Sequence, residues 1–270
     1  MPDPMTVGEI SEARAVVEKI GWSSVCVVNL SAAKTPYRGV ASEEIGAGTA
    51  CLCKGYKLIL TAGHVVGGAG PSDLGFMPRV GTAIDWEDEG KAQIADRLSL
   101  PVEAIVRSRK DDLAAIVLRP DALPALNGHF CELPAKFGYM LSGNGAVALM
   151  GYPVDQTRPV SKTKGGDSLT ELRAVVPTTV MEEVVSESPL FLSSEYDPDR
   201  HLLIQFAPAE GGLKPFGYSG AGVWADNRKT GPLWVADPLL VGVETSAYVA
   251  SKLLVAVKGE IVRKFLQESL

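Results

Sequence analysis

Short apolar runs, each a handful of residues long and bounded by Gly, Pro, Asn or Asp, dominate the chain from about residue 22 to residue 255. They are Val25 to Leu30, Thr49 to Cys53, Lys57 to Thr61, Val102 to Val106 and Leu113 to Leu118, then Ala146 to Met150, Leu172 to Val176, Leu202 to Phe206, Gly222 to Trp224 and Leu239 to Val243. Runs this brief, with no amphipathic helical stretch between them, predict antiparallel barrels or sandwiches rather than a parallel α/β sheet. Only the two ends differ. Thr6 and Glu9 form a capping-box pattern, and Ile10, Ala13, Val16, Val17 and Ile20 recur at helical spacing until Gly21, which predicts a helix within residues 1–21. Ile261, Val262, Phe265 and Leu266 share one face of a second predicted helix within 256–270.

The stretch from Pro120 to Leu141 carries Pro120, Pro124, Asn127, Gly128 and Pro134 with little regular pattern, so it reads as a crossing between two halves, 22–135 and 136–255. No internal repeat is visible. Asp85 to Glu89, acidic apart from Trp86, reads as a surface loop, as do Ser193 to Arg200 and the segment around Lys162, Lys164 and Thr170.

Composition narrows the function classes. The 270 residues are 46% hydrophobic with 28 Gly and 18 Pro, the profile of a turn-rich globular protein. The net charge is -6, and the only compact basic cluster, Arg107, Arg109 and Lys110, runs straight into Asp111 and Asp112, so no nucleic-acid partner is expected. The N-terminus lacks a basic start and an apolar leader, and no apolar run reaches membrane-spanning length; a cytoplasmic protein without a membrane partner is the expectation. Cys26, Cys51, Cys53 and Cys131 have no zinc-like spacing and read as reduced, mostly buried thiols. No metal or cofactor is called for.

Amide cleavage by nucleophilic catalysis needs a hydroxyl, a base within reach of it, a carboxylate to orient the base, and backbone N–H groups for the oxyanion. With three histidines the search is short. His64 follows the apolar run Leu58-Ile59-Leu60 and the small residues Thr61-Ala62-Gly63, which delivers an imidazole to a turn. A histidine after a strand is more often structural, so this alone decides little. Asp112 opens Leu113-Ala114-Ala115-Ile116-Val117-Leu118, where a carboxylate is expected to be largely desolvated and therefore paired. Asp111 competes for the role, and an ordinary strand-start Asp in a turn is the plain alternative. Ser219 stands among Gly217, Gly220 and Gly222, which allow N–H groups to converge on one point, although a Gly-flanked Ser is more often a turn.

Together these segments resemble the trypsin-like (chymotrypsin-fold) serine peptidases. Thr61-Ala62-Gly63-His64 is similar to that family's T-A-[AG]-H, Asp112-Leu113-Ala114 to its D-[IL]-A, and Gly217-Tyr218-Ser219-Gly220 to its G-x-S-G, in the family's order. Gly46-Ala47-Gly48-Thr49 and Gly151-Tyr152-Pro153 resemble bacterial members such as the HtrA and glutamyl-endopeptidase groups. The resemblance implies two antiparallel six-stranded Greek-key barrels with short terminal helices. It also implies a triad of His64, Asp112 and Ser219 in the cleft, with the N–H groups of Gly217 and Ser219 as oxyanion hole. Leu213 would lie at the floor of the substrate pocket and Val243, Thr245 and Ala247 along its wall, which favours apolar or small side chains over basic ones; the polarity of Glu244 and Thr245 leaves that wall open.

Three departures from the pattern matter. Val65 replaces the Cys that follows the histidine in secreted eukaryotic members, Tyr218 replaces the Asp that receives a freed N-terminus in zymogen-activated ones, and Ala221 replaces a Gly. Gly166-Asp167-Ser168-Leu169 spells an esterase motif, but that chemistry needs a histidine after the serine, the last one is His201, and Lys162, Lys164 and Thr170 around the motif read as an exposed loop. The implied partner is a protein or peptide substrate. Two alternatives stay open: a catalytically silent scaffold that binds, and a signalling or immune protease that awaits an activating protein partner.

Overall fold

The computed structural model describes residues 15–21, 23–29, 45–78, 101–122, 130–133, 137–138, 146–153, 158–165, 168–174, 178–185, 196–206, 214–226 and 238–270. In the first half the strands are β1 (Ser24–Asn29), β2 (Ile45–Cys53), β3 (Tyr56–Ala62), β4 (Leu74–Pro78), β5 (Val102–Ser108), β6 (Leu113–Leu118) and β7 (Cys131–Leu133). Six of them pair antiparallel in the order β4-β1-β2-β3-β6-β5, and β7 lies parallel to β2. Their inner face is apolar: Val25, Val27, Ile59, Phe76, Ala114 and Ile116 pack together.

The second half contributes β8 (Ala146–Gly151), β9 (Arg158–Gly165), β10 (Ser168–Ala174), β11 (Thr178–Val185), β12 (His201–Gln205), β13 (Gly222–Asp226), β14 (Pro238–Tyr248) and β15 (Leu253–Lys258). Six of these close into an antiparallel barrel, β11-β12-β15-β14-β13-β8, while β9 and β10 form a separate hairpin. Leu149, Ile204, Tyr218, Val223 and Leu254 fill it. The all-β, two-barrel architecture expected from the sequence is the one observed.

A third apolar cluster joins the halves. Leu58, Leu60 and Leu113 from the first sheet meet Met150, Trp224, Leu240 and Val243 from the barrel, and both terminal helices close over them. Residues 15–21 are helical and bury Val16 and Ile20 there. The C-terminal helix, Gly259–Ser269, buries Val262, Phe265 and Leu266. Each such side chain withdrawn from water stabilises the fold by roughly 1.5–3 kcal/mol before entropy is counted, so the helices act as a clamp across the two barrels.

Three sequence expectations are corrected. The C-terminal helix starts at Gly259 rather than near 256, because Val255, Ala256 and Val257 continue buried in β15 opposite β12 and β14. The stretch around Lys162, Lys164 and Thr170 is a hairpin rather than a loop. The irregular crossing contains β7, whose pairing partner lies far away in sequence. Asp85 to Glu89 and Ser193 to Glu195 lie outside the described residues. Cys26, Cys51 and Cys53 are buried and Cys131 half-buried. Among the described residues no helix is long and apolar enough to cross a membrane.

Candidate active site

The imidazole is placed by the end of β3. After Ala62 the chain makes one helical turn, Gly63–Val66, that buries Val65 and Val66 and turns His64 outward, so that its side chain is 50% exposed. Asp112 ends the turn before β6 at φ 49, in the left-handed region that a non-glycine residue adopts only under outside constraint. Three hydrogen bonds supply that constraint. Gly63 N–H donates to Asp112 O at 2.8 Å, His64 N–H donates to Oδ1 at 2.8 Å, and His64 Nδ1 meets Oδ2 at 2.6 Å. With Nδ1 as donor to the carboxylate, Nε2 is left as the lone-pair nitrogen.

Asp112 is 40% exposed, so the expectation of a largely desolvated acid is corrected. The apolar strand begins at Leu113, and the reversed φ swings the carboxylate out of the sheet towards His64. Its neighbour Asp111 points elsewhere: it pairs with Arg200 of the second barrel and accepts a 2.7 Å hydrogen bond from Ser108 Oγ. Tertiary structure thus separates the two adjacent acids.

Ser219 is carried on the loop before β13. Tyr218 anchors the loop by burying its whole ring in the second barrel, edge-on to Phe206 at 5.7 Å and pressed against Gly151, where a Cβ would overlap the ring. Gly217 (φ 97) and Gly220 (φ 88) turn the chain on either side, and neither has room for a side chain. A Cβ on Gly220 would strike Thr61, which leads into the histidine turn, and Ala47 of β2. Ser219 O accepts from Ala47 N–H at 2.7 Å, and Gly46 wedges between that carbonyl and Val65. The Ser219 loop is therefore docked on β2 and the end of β3, beside the histidine turn.

Among the described residues the Gly217 and Ser219 N–H groups donate to no backbone carbonyl, whereas those of Tyr218, Gly220 and Ala221 do. Ala221, the departure from glycine, is buried and fits, exchanging backbone hydrogen bonds with Tyr218 and Glu244. No hydrogen bond joins Ser219 to His64 among the described residues. The Ser219 hydroxyl lies instead near the carboxyl of Glu244, a residue fully withdrawn from solvent on β14. Burial above all, with the nearby Asp112 charge, pushes the Glu244 pKa well above the usual carboxyl range, and the Ser219 hydroxyl works the other way.

The residues expected along the pocket wall divide. Val243 is buried in the core between the barrels. Thr245 is buried, Ala247 is half-buried, and Leu213 lies outside the described residues. Glu244 and the Arg200–Asp111 pair were not singled out as site residues from sequence. The available signal was an acid directly after the apolar run Leu239 to Val243. Among the described residues no group of three or more His, Cys, Asp or Glu is placed to hold a metal ion.

No family model and no curated protein matches this sequence. Solved structures do match. Human heparin binding protein is 12% identical with a TM-score of 0.53, over 93% of this chain and 92% of that one. An atomic-resolution structure of HBP gives the same identity and TM-score over 93% of this chain and 91% of the other. At that identity the likeness bears on fold alone, and with two β-barrels and few short helices it identifies this chain as having the chymotrypsin-like fold.

Proposed function

We propose that the protein is a serine endopeptidase in which His64, Asp112 and Ser219 form the catalytic triad. The observation that carries this reading is the 2.6 Å contact between His64 Nδ1 and Asp112 Oδ2, with the Ser219 loop docked beside the histidine turn. In the mechanism, His64 Nε2 takes the Ser219 proton as Oγ attacks the peptide carbonyl carbon. Asp112 holds the imidazole tautomer and balances the imidazolium. The N–H groups of Gly217 and Ser219 receive the oxyanion. Collapse breaks the C–N bond, the amine leaves with the proton from His64, and water repeats the sequence on the acyl-enzyme. The substrate is a protein or peptide, cleaved after apolar or small residues in keeping with Leu213.

The lack of a hydrogen bond between Ser219 and His64 among the described residues favours a second reading within the same chemistry, a peptidase whose resting form awaits an activating protein. Labelling by a fluorophosphonate probe tests both. The intact site labels at Ser219, and Ser219→Ala lowers turnover by roughly four to six orders of magnitude while leaving the fold in place. Retained proteolysis in the alanine variant would exclude Ser219 as nucleophile. An inert binding scaffold would not label under any condition.

A further inference from the structure

Glu244 is the one charged residue among the described residues that is fully buried. Neither of its carboxyl oxygens closes a hydrogen bond of ordinary length. Among the described residues no cation pairs with it. Its surroundings are the Ser219 hydroxyl on the nucleophile loop, Ala256 directly opposite on β15, Ala221 just before β13, and Asp112, whose charge repels a second one. The end of β3 beside the loop offers Thr61 and Ala62. Filling space does not explain an acid here, since an apolar side chain of that size avoids the desolvation cost. The Glu244 backbone is held against the serine loop: Gly220 N–H donates to Glu244 O at 2.8 Å and Glu244 N–H donates to Ala221 O at 2.9 Å.

We propose that Glu244 is a positioning residue that competes with His64 for the Ser219 hydroxyl: neutral, it lets the hydroxyl turn to the imidazole, and ionised, it holds the hydroxyl and withdraws the nucleophile. The proposal rests on the peptidase reading above. A carboxylate accepts a hydroxyl proton far more strongly than a neutral carboxyl does, so the two forms hold Ser219 differently. Reactivity then needs both His64 and Glu244 neutral, and the alkaline limb of the rate profile belongs to Glu244. Burial above all, with the Asp112 charge, favours the neutral form of Glu244, the form that leaves the nucleophile available.

The test is the rate of fluorophosphonate labelling between pH 5 and 10 for the wild-type chain and Glu244→Gln, with Ser219→Ala as the blank. Labelling forms the Oγ–P bond, breaks P–F, passes the hydroxyl proton to His64 and releases fluoride. The expected result is an alkaline fall of about tenfold per pH unit in the wild type and none in Glu244→Gln. The same alkaline limb in both proteins, or a wild-type profile without one, overturns the proposal and leaves the peptidase reading standing. Failure of both proteins to label at any pH overturns that reading and the proposal together. Should the glutamine variant not fold, infrared titration of the wild type replaces it. The band of a buried neutral carboxyl must disappear over the same pH interval as labelling, and a midpoint more than about one pH unit away overturns the proposal.

Discussion

Gly63 lies so close to Asp112 that a Cβ on the glycine would stand 2.8 Å from Asp112 Oδ1. That oxygen already accepts the His64 N–H, so the glycine before the histidine is what allows one carboxylate to grip both the backbone and the ring of the next residue. Gly63→Ala must push the carboxylate aside. A displacement of about 1 Å at a catalytic group costs on the order of a hundredfold in rate. We expect a fall of that size in kcat/KM, with a urea midpoint close to the wild type because the strand ends on both sides remain paired. A variant as active as the wild type would show that Asp112 does not orient the base.

Asp112→Asn separates the charge from the shape. Asn tolerates a positive φ, so the turn at φ 49 should survive. The amide can still accept the His64 N–H, but its NH2 then faces Nδ1 and forces the proton to Nε2, the nitrogen that must act as base. Turnover at saturating substrate should drop by about 10⁴ with the melting temperature little changed. Equal losses in kcat and in stability would point to a structural acid instead.

Glu244 also predicts how stability depends on pH. Its folded pKa is raised by burial and by Asp112, so the folded chain holds a proton that the unfolded chain has released once the pH exceeds the ordinary carboxyl range. Between those two titrations the unfolded state binds fewer protons, and stability falls as pH rises. Denaturant unfolding from pH 4 to 9 should therefore show a decline that Glu244→Gln flattens. Ser219→Ala removes the one neighbour that favours the charged form and should steepen it. Identical slopes in the wild type and the glutamine variant would mean that the carboxyl is solvated or paired in solution.

Much of this site was legible because its chemistry sits at the ends of strongly patterned strands. The apolar run before Thr61 and the one after Asp112 are β3 and β6, neighbours in the sheet, and their pairing of Ala62 with Leu113 brings His64 to Asp112. Other parts left weaker traces. β7 is three residues long, and only its parallel pairing with β2 makes it a strand. β15 reads Leu253-Leu254-Val255-Ala256-Val257, continuous apolar sequence that a buried helix could share, and it runs directly into the C-terminal helix. β11 carries Glu182 and Glu183 and so lacks a clean strand pattern. Asp111 and Asp112 are alike in type and differ only by one residue in their distance from the apolar strand; Arg200, almost ninety residues later, takes up Asp111.

That pairing can be tested through Arg200 itself. The Arg200–Asp111 pair is mostly buried, with side-chain exposures of 20% and 14%, and it links the turn that holds Asp112 to the start of β12. Lys258 N–H donates to Arg200 O at 2.8 Å, which fixes the arginine backbone on β15. Arg200→Met would strand Asp111 in that setting, and breaking a buried pair by removing one partner costs roughly 3 kcal/mol or somewhat more. Removing both charges with Asp111→Leu added should recover most of the loss, since no desolvated acid is then left over. Urea unfolding of the single and double variants measures the coupling. The single variant should also lose activity, because the released Asp111 carboxylate stands beside Asp112 within the same turn and becomes a rival acceptor for the His64 ring. Full activity and stability in Arg200→Met would show that the pair does nothing to hold the two acids apart.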